Sequence, residues 1–166
     1  MAVTKNTSGN YVSTQFLGHL FGYVDSNNVI HWFPEKYMAL ETWSSTPNQR
    51  EEIKAYRDDN TRNLTRVTAA GRKSIFSFET RERLHLADVQ AIKNFFVNHE
   101  SNTAERKIRL AFWNEEAGDY ITADFYRPNM AFPVKQIVNK PIRINGSNDT
   151  YVDIIYGKLK IELIQY

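Results

Sequence analysis

The sequence predicts an α+β fold, mainly antiparallel β (a sandwich or barrel-like arrangement), packed with one principal α-helix at residues 86–98. Three observations predict it. Residues 74–80 alternate, Phe76, Phe78 and Thr80 against Ile75, Ser77 and Glu79, which is the period of a half-buried strand. The period then changes: Leu86, Val89, Ile92 and Phe96 recur at helical spacing with Phe95 beside them, while Asp88, Gln90, Lys93 and Asn94 take the other side. The segments flanking this unit read mainly as short alternating runs between turn residues, so strands are expected to wrap the helix.

Asp88 lies in the helix's first turn, where a carboxylate suits the dipole, and Asn98 and His99 form its polar exit. Residues 1–11 are small and polar and read as an arm that is flexible alone or ordered by a neighbour. Residues 15–23 fit either a short helix or a strand, with Gly18 and Gly22 against the helix. Asp25, Ser26, Asn27 and Asn28 form a turn cluster between Tyr23-Val24 and the apolar run 29–33, a hairpin that Pro34 ends. Residues 35–49 read as a connector with a loop at 44–48. Residues 50–74 read as two long, weakly apolar strands around a loop. Residues 98–107 read as a loop.

The clearest hairpin follows. Ile108, Leu110 and Phe112 share one face, Glu115 to Gly118 turn the chain, and Ile121, Ala123 and Phe125 return. Residues 132–144 are extended, and Pro133 and Pro141 imply an edge strand or coil. Residues 145–149 form a turn. Two runs then close the chain, 151–156 and the alternating Leu159, Ile161 and Leu163, with a bulge or bend expected at Gly157.

With 166 residues, 42% of them hydrophobic, the chain suits one domain with a real core. That domain spans 1–166, with the arm at 1–11 and a protruding hairpin at 50–74. The absence of cysteine excludes disulfides and thiolate zinc sites. Residues 1–10 lack the basic and apolar regions of a signal peptide, and no apolar run approaches the roughly 20 residues of a membrane span. A formal net charge of +2 makes no electrostatic case for a dedicated nucleic-acid binder.

Catalytic signals are weak. His19, His31, His85 and His99 show no metal-ligand spacing and read as surface or core residues. Asp58 and Asp59 are neighbours, which on a strand would point to opposite faces. Glu115 and Glu116 sit in a hairpin turn, where solubility explains them. There is no Gly-rich phosphate loop and no GxSxG. No catalytic, metal or cofactor residues are assigned, and an enzyme is the weakest broad class.

Two features suit interaction instead. Residues 50–83 carry nine basic and six acidic side chains. A solvated sheet face and a subunit contact have about equal claim on this mosaic, and mixed charge would fix register in the latter. The candidate contacts are Arg50, Lys54, Arg57, Asp58, Asp59, Arg62, Arg66, Arg72 and Lys73. The second feature is the aromatic supply of Trp32, Trp43, Trp113, Tyr120 and Tyr126. Core packing is its ordinary use, and a sugar-stacking platform is the alternative, in which the chain is a non-catalytic glycan-binding module.

The run Thr61-Arg62-Asn63, then Ala70-Gly71-Arg72-Lys73, the strand, the helix and the hairpin ending Phe125-Tyr126-Arg127-Pro128 resemble small tail-associated proteins of tailed bacteriophages. The resemblance covers residues 53–166 and departs at 98–106 and 139–149, which look lengthened. It implies a tail-tube or distal-tail-like fold and a structural virion role as a tail or baseplate ring subunit (tube, adaptor or hub). Its partners would be copies of itself and neighbouring tail proteins, with no specific nucleic acid and no membrane. It would be assembled in the bacterial host cytoplasm. The resemblance implies no catalytic residues.

Overall fold

The computed structural model describes residues 3–5, 11–13, 15–50, 52–57, 62–68, 71–144 and 147–166. Its elements are β1 (Val3–Lys5), β2 (Tyr11–Ser13), β3 (Phe21–Val24), β4 (Ile30–Trp32), β5 (Met38–Gln49), β6 (Glu52–Arg57), β7 (Leu64–Thr68) and β8 (Lys73–Thr80). They continue with β9 (Leu84–His85), α1 (Leu86–Val97), β10 (Glu100–Asn102), β11 (Lys107–Asn114), β12 (Asp119–Tyr126), β13 (Val134–Ile144), β14 (Ser147–Tyr156) and β15 (Lys160–Gln165). The fold is α+β, mainly antiparallel β with one helix, as the alternation predicts.

The main sheet has the order β4-β3-β11-β12-β15-β8-β5, with β10 on the edge of β11. A flat sheet would hold β3 and β5, five places apart, at about 24 Å. Yet Phe21 on β3 stacks against Trp43 on β5 with ring centroids 6.1 Å apart. The sheet therefore coils until its two ends share one core. Phe21, Phe76, Phe78, Phe112 and Phe125 line that core and are essentially inaccessible. Helix α1 closes it with Val89, Ile92 and Phe96, and Phe33 packs on both Phe95 and Phe96.

A second sheet, β13-β14-β9, lies along α1. Gly157 marks the passage from this sheet to β15 and donates its N–H to Pro133 O at 2.8 Å. Of the bulge or bend expected there, it is the bend, at a junction between sheets. Among the described residues β1 and β2 pair only with each other; β1 and Tyr11 fall in the segment expected to be an arm, and β2 runs past it to Ser13.

Two expectations need correction, and two readings left open are settled. Residues 35–49 are not a connector: after a 3-10 turn at Glu35–Tyr37 they form the twelve-residue β5. The loop-like composition at 44–48 survives in a strand because β5 is the sheet edge, where Pro47 need not complete a ladder. Residues 15–23 contain no helix. They enter β3, where Gly22 lies opposite both Trp32 and Ala111. A Cβ on Gly22 would sit 2.6 Å from His31 O, so the close approach of β4 requires glycine. The expected loop at 98–107 contains β10, and 132–144 contains the eleven-residue β13, paired along its length with β14. Pro141 fits because β13 is an edge strand.

Candidate assembly surfaces

Past Gln49 and Lys73, the last pair of β5 and β8, the two chains continue as β6 and β7 with Glu52 opposite Thr68. These strands pair only with each other, and every side chain described on them is exposed. The result is a two-stranded ribbon extending the edge of the main sheet. Residues 50–73 hold seven basic and four acidic residues, a net charge of +3 against +2 for the whole chain.

Lys54 and Tyr56 share one face, with the ammonium 5.1 Å from the ring centroid, and Val67 lies opposite Lys54. Ala55 and Arg57 share the other face, opposite Arg66 and Leu64. Arg66 pairs with Glu52 at 2.5 Å, and Arg57 donates to the carbonyl of Arg62, a residue at φ 59°. Ile53, Leu64, Tyr56 and Val67 are between 45% and 67% exposed. Each face thus sets apolar carbon beside a cation, a pattern suited to a protein contact. A two-stranded ribbon has little stability alone, so a covering surface would add to it.

Of the candidate contacts, Lys54, Arg57, Arg62 and Arg66 lie on this ribbon, while Arg50, Arg72 and Lys73 mark its base, all exposed. Asp58 and Asp59 lie outside the described residues.

Sequence reasoning missed a second exposed surface on β13 and β14. Ile137 lies opposite Ile154, and Val152 opposite Asn139, on the face turned away from Asp153. Ile137 is 69% exposed and Val152 63%. The alternation of these strands was a usable signal, which Pro141 obscured.

The opposite face of β14 holds a carboxylate that several donors converge on. Asp153 is buried, and its Oδ2 accepts from Tyr151 Oη at 2.5 Å and His85 Nδ1 at 2.6 Å. Its Oδ1 accepts from the N–H groups of Leu86 and Ile154. The Tyr151 hydroxyl and the His85 ring hold this carboxyl far below the usual carboxylate range. The same carboxylate pushes the Tyr151 hydroxyl up. The adjoining His85 N–H is taken by Asp88 Oδ2, so the cluster caps α1 and ties it to β14.

Glu115 and Glu116 do more than solubilise their turn. They accept from Ser45 Oγ at 2.8 Å and Asn48 Nδ2 at 2.7 Å, bridging the β11–β12 turn to β5. Buried Asn114 organises the turn by accepting from the N–H groups of Glu116 and Ala117.

The aromatic candidates largely cover one another. Trp113 packs on Tyr120 and Phe16, Trp32 on Tyr120, and Trp43 on Phe76. The Tyr120 hydroxyl donates to His19 O at 2.6 Å, and burial raises it above the usual range. Tyr126 alone of the five is exposed. Among the described residues no three His, Asp or Glu side chains converge as metal ligands, and no helix is long and apolar enough to cross a membrane.

A family profile matches residues 21–166. The chain belongs to DUF6711, a family of unknown function. The DUF6711 span begins at Phe21, the first aromatic of the core, and takes in the ribbon, α1 and both larger sheets. Residues 1–20, with β1 and β2, precede it. No match was found among curated proteins or among solved structures.

Proposed function

We propose that this chain is a structural virion protein of a tailed bacteriophage, a ring subunit of the tail or baseplate that acts by protein–protein assembly and carries out no catalysis. The observation that carries the reading is the β6–β7 ribbon, whose described side chains are all exposed and set apolar carbon and cations on both faces. The resemblance of residues 53–166 to tail-associated proteins supports the same role. In a ring the ribbon of one subunit would lie on its neighbour, with backbone edges and mixed charge setting register. Arg50, Lys54, Arg57, Arg62, Arg66, Arg72 and Lys73 are the proposed contacts.

Light scattering across concentration, with negative-stain imaging, tests this. Closed rings or stacked tubes are expected. Replacing residues 52–68 by an Asn-Gly turn should leave a folded monomer. Wild-type protein that stays monomeric at every concentration would remove self-assembly, and rings that persist without the ribbon would remove the ribbon as the contact.

A further inference from the structure

A cleft of about 200 Å³ opens between the outer face of α1 and the segment after β12. Three cations line it: Lys93 on α1, Arg106 before β11, and Arg127 just past β12. Val97, Met130 and Phe132 supply apolar walls. The guanidinium of Arg106 is steered by Asn129 Oδ1, a neutral partner. Neither Lys93 nor Arg106 makes an ion pair among the described residues. Among the described residues the carboxylate that pairs with one of these cations is Glu100, which accepts from Arg127 Nη2 at 2.9 Å.

Arg127 is 93% buried by the complement of its 7% exposure, and its Nε–H has no partner among the described residues. An unmatched buried donor on a guanidinium is costly, and the guanidinium that carries it lines this cleft beside two further cations. We infer that this cleft binds a carboxylate on a short alkyl stem. Three cations against one carboxylate leave an excess of two positive charges. The planar guanidinium groups suit a planar carboxylate, and the volume holds about six waters' worth of ligand. Apart from Asn129, the named wall groups are cations and carbon, so the cleft reads an acid head and its stem. An acidic side chain of a partner protein and a free short-chain acid share that chemistry. The inference does not rest on the assembly role.

The test is a titration of backbone amide resonances with butyrate and with its neutral isostere butyramide at constant ionic strength. Butyrate should give saturating shifts near Lys93, Arg106 and Arg127, and butyramide none. Lys93→Glu, an exposed change that leaves the buried Glu100–Arg127 pair intact, should weaken butyrate at least about tenfold, the loss of one charge-assisted contact. Equal shifts with butyramide, or butyrate binding unchanged by Lys93→Glu in a protein with wild-type spectra elsewhere, would overturn the inference. A capped glutamate run in parallel separates the sources: tighter than butyrate indicates a protein side chain, and equal binding a free acid.

Discussion

The Asp153 carboxylate and the His85 ring meet at 2.6 Å where β14 reaches the first turn of α1. The helix start is fastened from outside its own sequence, by a residue 68 positions away. Asp153→Asn removes the charge that four donors converge on. The expected loss is on the order of 5 °C in Tm at neutral pH, measured by calorimetry. The pH dependence has a definite sign. The folded-state pKa is depressed, so the stabilisation is full above the unfolded Asp value near 3.8 and is lost as pH falls below it. The wild-type advantage over Asp153→Asn should therefore be constant at neutral pH and shrink in strong acid. An advantage that grew on acidification would contradict this.

Gly22 admits no side chain because β4 crosses at His31 O. Gly22→Ala should destabilise by about 1–3 kcal/mol, the range for overpacking, seen as a lowered denaturant midpoint. Gly18, at φ 90°, has nothing within 4 Å of an added Cβ, so Gly18→Ala would report conformational strain alone.

Phe21 joins the far ends of the coiled sheet. Phe21→Ala should cost about 3–5 kcal/mol by chemical denaturation. Trp43 would gain solvent, so its fluorescence should shift to the red. An unchanged emission would mean the two strands do not meet.

Glu100 and Arg127 form a buried pair with side chains 3% and 8% exposed. Glu100→Gln strands the guanidinium and should cost about 3–5 kcal/mol. Replacing both, Glu100→Leu with Arg127→Met, should cost less than the single change, because no charge is then left buried. The double-mutant cycle measures this.

Legibility followed the burial of side chains. Residues 74–80, α1 and the β11–β12 hairpin were readable because one face of each packs on the core while the other is more exposed, which writes a readable period. Strand β5 was not, and β13 was legible only as an edge strand or a coil, because both are edges: Pro47 and Pro141 are permitted there, and an edge strand needs no continuous apolar face. The ribbon was legible as a polar hairpin from its turn residues and alternation. The Asp153 cluster and the Glu100–Arg127 pair were invisible, since each joins residues distant in the chain, and nothing local distinguishes Asp153 from any other acid. The coiling of the sheet was equally hidden, because it depends on which strands are neighbours.

Strand β15 lies between β12 and β8, yet it follows every other strand of its sheet in the chain. Until it emerges from the ribosome, β11–β12 and β5–β8 are separate hairpins, each presenting a bare backbone edge. Such edges recruit other nascent chains, and the pairing that joins them reaches from Ile164 back to Ile75 and is slow to form. The last strand of this sheet to be made is thus its keystone, and the interval before it arrives is the sheet's period of greatest exposure to misassembly.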